Sequence, residues 1–464
     1  MKYILILGDG MADYPVAELG GKTPLQAANK PGMDFIARNG EIGLTYTVPE
    51  SVLPGSDTAN LSVMGFDPDV YYTGRAPIEA VSMGINLGDD DIVYRCNLVS
   101  LSDGDNGRYE DRAMIDYSAD EISTEEAKAL IGDVNEFLLG RVYEKYSDVF
   151  NKRGAPDIKF YPGISYRHCM VWRNKDIYVK SDGQVGGAEA NAITKKVACV
   201  PPHDIMTRAI SDYLPVIGEA GGVDGAGFEA GVLRLIMKES YEFFSRHAVN
   251  RARAERGLLP ANSLWLWGQG GRLALSSFYD KYGLKGAVIS AVDLLKGIAI
   301  SAGMQSIDVE GATGTIDTNY KGKADAALAA LDGGCDFVYV HVEAPDECGH
   351  RNEAQNKAKS IEYIDEKIIR YIMDEMDRRG DAYSIMVLPD HATPLSLRTH
   401  TRDPIPFAIY RSAGAGSGGA SVVNRGVGDD GRAPGGACYD EFEAAKSGFV
   451  VKEGYKLMDY FLRQ

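Results

Sequence analysis

Short apolar runs that stop at polar residues predict the strands of a parallel sheet. The first run, Tyr3–Leu7, is rich in Ile and Leu and stops at Gly8-Asp9-Gly10. Two later runs, over residues 336–342 and 384–388, also stop just before acidic residues. Continuous apolar runs of this length are typical of strands that are buried on both faces. We therefore expect carboxylates at the carboxyl ends of these strands.

A helical pattern separates the second and third of these runs. Four isoleucines recur there at three- and four-residue spacing: Ile361, Ile364, Ile368 and Ile372. This spacing predicts one long helix over residues 353–378. Strand, helix and strand in that order form a βαβ unit, which implies a parallel sheet covered by helices. Residues 286–291 and 292–302 predict another strand and helix.

The middle of the chain has a different pattern. Ser123-Thr124-Glu125-Glu126 is typical of a capping box and predicts a helix that reaches about Leu139. A second helix is expected around residues 227–253, among short strands and glycine-rich turns. Strands like the first resume only after about residue 262, so we interpret this region as an inserted domain.

The expected organisation is therefore discontinuous. Residues 1–75 and 275–464 are predicted to form one α/β domain with a parallel-sheet core, and residues 76–274 an inserted α+β domain. The segment 411–437 is crowded with Gly, Ser and Ala, which predicts a mobile loop.

Composition narrows the function classes. The 66 acidic against 49 basic residues give a net charge of −17, which argues against nucleic-acid and anionic-membrane partners. No apolar run reaches the ~18 residues of a membrane span, and the N-terminal run is too short for a signal peptide. The six cysteines form no CxxC pair, which favours a reducing cytoplasm. A phosphorylated substrate would need local cations.

Aspartates and histidines gather near the predicted strand ends. The candidate ligands are Asp9, Asp346, His350, Asp390, His391 and His400. Mixed carboxylate and imidazole sets suit Mn²⁺, Zn²⁺ or Fe²⁺ better than Ca²⁺. Each pair alone could be a polar strand end or a helix cap. Taken together, at the edge where α/β sheets bind ligands, they predict a site for two metal ions.

Ser56 is the candidate nucleophile. It follows the Pro54-Gly55 turn at a predicted helix start, where backbone N–H groups favour a bound phosphate. Metal coordination would lower the pKa of its hydroxyl. Read locally, an ordinary N-cap is the commoner role for such a serine.

Six segments in a fixed order carry a family resemblance. They are Leu7–Met11, Gly55–Ala59, Gly65–Pro68, Ala344–His350, Asp390-His391 and Thr399–Thr401. The series resembles the cofactor-independent (2,3-bisphosphoglycerate-independent) phosphoglycerate mutases of the archaeal type, within the alkaline phosphatase superfamily. The resemblance covers essentially the whole chain, and it implies an alkaline-phosphatase-like core that binds metal and an inserted domain that binds substrate.

The resemblance also implies roles for single residues. Ser56 matches the serine that becomes phosphorylated. One metal ion would be held by Asp9, Ser56, Asp390 and His391, and the other by Asp346, His350 and His400. The two divalent ions of the family are usually Mn²⁺, with Mg²⁺, Co²⁺ or Zn²⁺ as variants. Ser56 would take the phosphate of 3-phosphoglycerate, and the 2-hydroxyl of the reoriented glycerate would take it back.

Substrate-binding residues are less well marked. Asp111-Arg112 resembles a family Asp-Arg segment, and Lys296 resembles a phosphate-facing lysine. Asn60 stands where members of the family often have His, which concerns a neighbour of the metal site and not the nucleophile. His168 and His203 could be proton shuttles or structural histidines.

Two other activities fit the same core motifs. A homoserine kinase-like phosphotransferase would use an amino acid as acceptor and require ATP. A phosphomonoesterase would use water. The motifs define the phosphoryl transfer and leave open the acceptor, the metal and the oligomeric state.

Overall fold

The computed structural model describes residues 1–103, 107–150, 156–173, 197–217, 224–412 and 438–463. The predicted loop over 411–437 lies largely outside these residues. The chain divides into two compact units, and each is described by itself. Unit 1 comprises residues 1–72 and 275–464, and unit 2 comprises residues 73–274.

An eight-stranded sheet forms the centre of unit 1. Its strands in chain order are β1 (Lys2–Gly8), β2 (Glu41–Thr45), β3 (Gly286–Ile289), β4 (Gln305–Ile307), β5 (Phe337–Val342), β6 (Tyr383–Leu388), β7 (Ile405–Ser412) and β8 (Val450–Val451). Their order across the sheet is β4-β3-β5-β1-β6-β7-β2-β8. The first five strands of this order are mutually parallel, and β7 runs antiparallel to its neighbours. The predicted α/β fold class is confirmed.

The strands that position the site lie side by side. In register, β1 pairs with β5 on one side and with β6 on the other, so that Leu7 faces both His341 and Leu388. The apolar runs of the three strands are buried. Their carboxyl ends therefore meet at one edge of the sheet.

Helices cover the sheet of unit 1. They are Pro24–Ala27, Pro31–Asn39, Ser56–Val63, Pro68–Tyr71, Phe278–Tyr282, Asp293–Ser301, Tyr320–Asp332, Ala344–Arg351, Ala354–Ile364, Tyr371–Arg379, Glu441–Lys446 and Lys456–Phe461. Ile361, Ile368 and Ile372 pack into a buried cluster with Ile4 of β1 and Val338 of β5. Apolar burial of this kind is the main stabilising contribution to such a core.

The isoleucine-rich segment is helical from Ala354 to Arg379, but it contains a π-helical turn over Asp365–Arg370. The buried Asp365 carboxylate in this turn accepts N–H hydrogen bonds from Gly32 (3.1 Å) and Met33 (2.6 Å). These donors belong to the first turn of helix Pro31–Asn39, whose N–H groups have no partner within their own helix. The side-chain period predicts the helix but does not reveal the π turn.

Unit 2 is built around an antiparallel sheet. Its strands are Ile92–Leu101, Met114–Asp116, Asp157–Tyr161, Arg167–Arg173 and Ser263–Gly271. Val197–Ala198 and Val216–Ile217 pair separately. The helices are Arg75–Ser82, Thr124–Asp133, Leu139–Lys145, Ser147–Phe150, Asp224–Phe244 and Ala248–Glu255, with a π-helical turn at Val134–Leu138.

One local prediction in unit 2 was wrong, and a second is confirmed only in part. The region 227–253 is two helices, because the chain turns after Phe244 and the His247 side chain caps the second helix by accepting the N–H of Val249 (3.2 Å). The capping box at Ser123 forms by half. Ser123 accepts the N–H of Glu126 (3.3 Å), but the Glu126 carboxylate binds Arg253 and Arg256 instead of the cap backbone.

No helix in the described ranges is long and apolar enough to cross a membrane.

Candidate metal centre

Three neighbouring strands deliver the predicted ligands to one sheet edge. Asp9 follows β1, and Asp390 and His391 lie just beyond β6. β5 leads into helix Ala344–Arg351, which carries Asp346 and His350. Because β5, β1 and β6 are parallel and adjacent, their carboxyl ends bring these side chains together.

Local sequence explains why Asp346 and His350 share a helix face. Pro345 lies in the first turn, where its missing N–H costs no hydrogen bond. Asn352 ends the helix in the left-handed conformation (φ 58°). Within this short helix, residues four apart lie one above the other, and His350 Nε2 is 3.2 Å from Asp346 Oδ2.

Asp346, His350 and His400 form what we call the outer ligand group. The Nε2 atoms of His350 and His400 are 3.0 Å apart, and His400 Nε2 is 3.5 Å from Asp346 Oδ1. His350 Nδ1 is 3.0 Å from the carbonyl oxygen of Arg398, to which it donates. In the neutral ring this bond leaves the lone pair on Nε2, which faces the other two ligands.

The Asp346 carboxylate and His350 of the outer ligand group shift each other's pKa values. The hydrogen bond that His350 donates to Asp346 raises the pKa of His350 to about 9. Burial alone would raise the pKa of Asp346, but its hydrogen bonds with His350 and His400 hold it well below its usual range. Asp346 is therefore ionised.

Asp9, Asp390 and His391 form the inner ligand group. Each is at most 1% exposed. His391 Nε2 lies 3.6 Å from Asp9 Oδ1 and 3.3 Å from Asp390 Oδ2. Burial lowers the pKa of His391, so this imidazole is neutral. Asp346 also reaches this group, because ligand atoms of Asp9, Asp346 and His391 lie within 4.8 Å of one another.

Backbone and amide donors fix the Asp390 carboxylate. Its Oδ1 accepts the N–H groups of Gly10 (3.1 Å) and His391 (2.9 Å). Its Oδ2 accepts from Asn60 Nδ2 at 2.8 Å, and Asn60 Oδ1 accepts the hydroxyl of Tyr339. Asn60 therefore orients the carboxylate of a candidate ligand.

Asp9 is held on one side only. Its Oδ2 is 2.9 Å from His341 Nε2, and its buried Oδ1 has no hydrogen-bond partner. Burial, followed by the neighbouring charges of Asp390 and Asp346, raises the pKa of Asp9 well above its usual value. An acceptor left without a donor in the interior is costly unless a ligand satisfies it.

These features fit a divalent cation. Asp9, Asp346 and Asp390 are three buried carboxylates, and among the described residues no Lys or Arg forms an ion pair with them. Buried like charges require compensation. Imidazole nitrogens and carboxylate oxygens in mixed sets are typical ligands of Mn²⁺ and Zn²⁺.

Ser56 faces the inner ligand group. Gly55 is the N-cap of helix Ser56–Val63, and Ser56 is its first residue. The interpretation of Ser56 as an N-cap was therefore wrong. Its Oγ lies 3.2 Å from His391 Nε2, so the hydroxyl points toward the candidate metal ligands.

Comparison with known proteins decides the family. A sequence model described as 2,3-bisphosphoglycerate-independent phosphoglycerate mutase matches residues 37–250. A protein of that name from Methanothrix thermoacetophila is 44% identical over 99% of this chain and 98% of its own. A probable one from Geobacter sulfurreducens is 46% identical over the full length of both. The chain belongs to the 2,3-bisphosphoglycerate-independent phosphoglycerate mutase family. The family predicted from the motifs is thus confirmed.

Solved structures agree with membership of the mutase family. The cofactor-independent phosphoglycerate mutase of Thermoplasma acidophilum is 25% identical, with a TM-score of 0.58 over 100% of this chain and 99% of its own. A Pyrococcus horikoshii protein is 26% identical, with a TM-score of 0.70 over 99% of this chain and 96% of its own.

The predicted substrate residues have contacts within their own units. Asp111 and Arg112 belong to unit 2, where the Arg112 guanidinium stacks over the ring of Tyr241 (3.7 Å) and donates to the carbonyl of Ser102 (2.8 Å). Lys296, in unit 1, pairs with Asp308 (2.7 Å). Their roles in a mutase stay predictions.

The two candidate shuttle histidines differ in exposure, since His168 is buried and the side chain of His203 is half exposed. His168 Nδ1 accepts the N–H of Gly163 (3.0 Å), and burial lowers the pKa of His168 to about 3. The ring of His203 packs edge-to-face against Trp267, with centroids 5.4 Å apart. Burial therefore favours the neutral form of His168.

Sequence reasoning gave no role to two neighbours of the ligands. His341 holds Asp9 and is itself held by Ser290 (3.0 Å to Nδ1). The sequence does mark His341, since a histidine inside an otherwise apolar strand is unusual. Thr393, two residues beyond His391, contacts both ligand groups, and no sequence pattern marked it.

Proposed function

We propose that the chain is a metal-dependent phosphoglycerate mutase that interconverts 3-phosphoglycerate and 2-phosphoglycerate through a phosphoserine at Ser56. The observation that carries the proposal is the placement of the Ser56 hydroxyl 3.2 Å from His391, beside two ligand groups on one sheet edge. Relatives that match over essentially the whole chain carry the mutase name.

Two divalent ions are proposed, held by the inner ligand group with Ser56 and by the outer ligand group. When bound, they would neutralise charge on the phosphoryl oxygens and lower the pKa of the Ser56 hydroxyl. The donor set favours Mn²⁺, with Mg²⁺, Co²⁺ and Zn²⁺ as alternatives.

Ser56 then acts as acceptor and donor in turn. The Ser56 hydroxyl loses its proton and its oxygen attacks the phosphorus of 3-phosphoglycerate; the bond to the 3-oxygen breaks, and that oxygen takes up a proton. After the glycerate reorients, its 2-hydroxyl loses a proton and its oxygen attacks the phosphorus of the phosphoserine; the Ser56 oxygen leaves and takes up a proton, which restores the hydroxyl. The N–H groups in the first turn of helix Ser56–Val63 are suited to a phosphate.

Because His391 is neutral, no additional proton on its imidazole competes with a cation for Nε2. A cation bound there would lie beside this phosphate. Asp111, Arg112 and Lys296 are proposed to bind the glycerate or its phosphate. A cytoplasmic location, a small phosphorylated substrate and the absence of nucleic-acid or membrane partners also stay predictions from the sequence.

An enolase-coupled assay tests the proposal. The purified protein with Mn²⁺ and 3-phosphoglycerate should form 2-phosphoglycerate without added 2,3-bisphosphoglycerate, and ATP should have no effect. Ser56→Ala should lose activity by about four orders of magnitude or more, since the nucleophile is gone. Ser62→Ala, a buried serine on the same helix, is the matched control and should retain activity.

Two outcomes would overturn the proposal. ATP-dependent phosphorylation of homoserine without isomerisation would indicate the kinase. Rapid release of inorganic phosphate without isomerised product would indicate a phosphomonoesterase.

A further inference from the structure

One side-chain oxygen touches both ligand groups. The hydroxyl of the buried Thr393 donates to Asp346 Oδ1 of the outer ligand group, and its oxygen lies 3.2 Å from His391 Nδ1 of the inner ligand group.

The direction of these hydrogen bonds follows from the number of protons. Thr393 has a single hydroxyl proton, and the hydroxyl donates it to Asp346 Oδ1. Toward His391 the same oxygen must accept, so Nδ1 carries the imidazole proton. The lone pair of the neutral ring then lies on Nε2, the atom that faces Ser56, Asp9 and Asp390.

Close packing keeps Thr393 in place. A Cβ at Gly10 would come within 2.6 Å of its Oγ1, and a Cβ at Gly349 within 2.9 Å of its Cγ2. Its carbonyl accepts the Nζ of the buried Lys357 at 2.8 Å. The hydroxyl therefore has little freedom to turn away from the two ligands.

We propose that Thr393 is a positioning residue that couples the two ligand groups, with one hydroxyl fixing both the orientation of Asp346 and the tautomer of His391. The inference rests on the proposed metal centre. It predicts that loss of this hydroxyl lowers the affinity of the protein for both ions, although Thr393 would ligate neither.

Direct metal titration tests it. Metal-free wild type, Thr393→Val and Thr393→Ser are titrated with Mn²⁺ by calorimetry. Valine preserves the shape but removes the hydroxyl, so both Mn²⁺ affinities should fall about tenfold or more, as for other residues that orient metal ligands. Serine keeps the hydroxyl and should bind both ions nearly as wild type does.

Thr45→Val is the matched control. Thr45 is a buried threonine of β2 whose hydroxyl has no hydrogen-bond partner, so its replacement should leave both Mn²⁺ affinities unchanged.

The outcomes separate this inference from the proposed function. Wild type that binds no Mn²⁺ would refute the metal centre itself. Wild type that binds two ions while Thr393→Val binds them equally well, or loses affinity at one site only, would refute the coupling. A serine variant as weak as the valine variant would show that the methyl group, not the hydroxyl, matters.

A second measurement needs no variant to fold. In the metal-free protein labelled with 15N-histidine, the imidazole spectrum of His391 should show the tautomer protonated at Nδ1. A ring protonated at Nε2 would overturn the inference.

Discussion

The inner and outer ligand groups use the same side-chain types in opposite settings. Asp390 and His391 of the inner ligand group are buried at a strand end, and backbone N–H groups hold the carboxylate. The outer ligand group sits on a short helix and a loop, with the side chains of His350 and His400 36% and 21% exposed. An ion bound to the inner ligand group would therefore compensate buried charge and stabilise the core. An ion bound to the outer ligand group would exchange with ions in solution.

Asp346 lies close to both ligand groups. Its carboxylate lies among the outer histidines, yet it is within 4.8 Å of ligand atoms of Asp9 and His391. The two groups are separate in exposure but share one carboxylate, and through Thr393 they share one hydroxyl. The site is better regarded as one cluster with a protected and an accessible side.

The largest expected effect comes from removing carboxylates one at a time. Asp390→Ala should leave an ion bound to the outer ligand group. Asp346→Ala should lower the affinity for both ions, because the oxygens of the Asp346 carboxylate reach both groups. Each variant should lose about a thousandfold or more in mutase rate. Mn²⁺ stoichiometry by elemental analysis after gel filtration separates the two cases.

Asp325→Ala, at an exposed residue that pairs with Lys321, serves as control and should keep both ions. An Asp346→Ala protein that holds one ion with wild-type affinity would contradict the shared role.

A smaller effect follows from pH. The pKa of His350 is raised to about 9, above the ~6.5 of an unfolded chain. In metal-free protein its protonated form contributes stability that is fully present below about pH 6.5 and is lost as pH rises through about 9. Metal needs the neutral ring, so Mn²⁺ affinity of the outer ligand group should rise up to about tenfold per pH unit between about pH 7 and 9.

The measurement is calorimetric titration of Asp390→Ala, in which only the outer ligand group remains complete. His350→Gln in the same background should remove most of the pH dependence. An unchanged pH profile in that double variant would mean that another group controls the proton.

The smallest effect concerns His341. Its hydrogen bond orients Asp9, so His341→Ala should weaken the inner ion about tenfold, while His341→Gln, which keeps a donor, should recover part of the loss. Ser290→Ala should have less effect, because it only helps to orient His341. Equal Mn²⁺ affinities for the Ala and Gln variants would show that His341 acts through packing alone.

The sequence predicted the features that depend on short-range pattern. Apolar runs placed Asp9, Asp346 and Asp390 beyond strands that the sheet then brings side by side, because parallel strands end at one edge. The isoleucine period likewise predicted the helix after His350.

What the sequence could not predict depends on contacts between distant residues. Asp365 in the π turn accepts a hydrogen bond from the first turn of helix Pro31–Asn39. The Glu126 carboxylate binds Arg253 instead of the cap of its own helix. Thr393 is an ordinary threonine until the fold places its hydroxyl between Asp346 and His391. None of these choices leaves a periodic signal.

Trapping the covalent intermediate tests the central claim most directly. The Mn²⁺-loaded protein is mixed with 32P-labelled 3-phosphoglycerate, quenched in acid within one turnover, and digested for peptide mapping. We expect the label on the peptide that contains Ser56, and no label in Ser56→Ala or in metal-free protein. Isomerisation at the full rate with label on another residue, or with Ser56 replaced by Ala, would contradict the account.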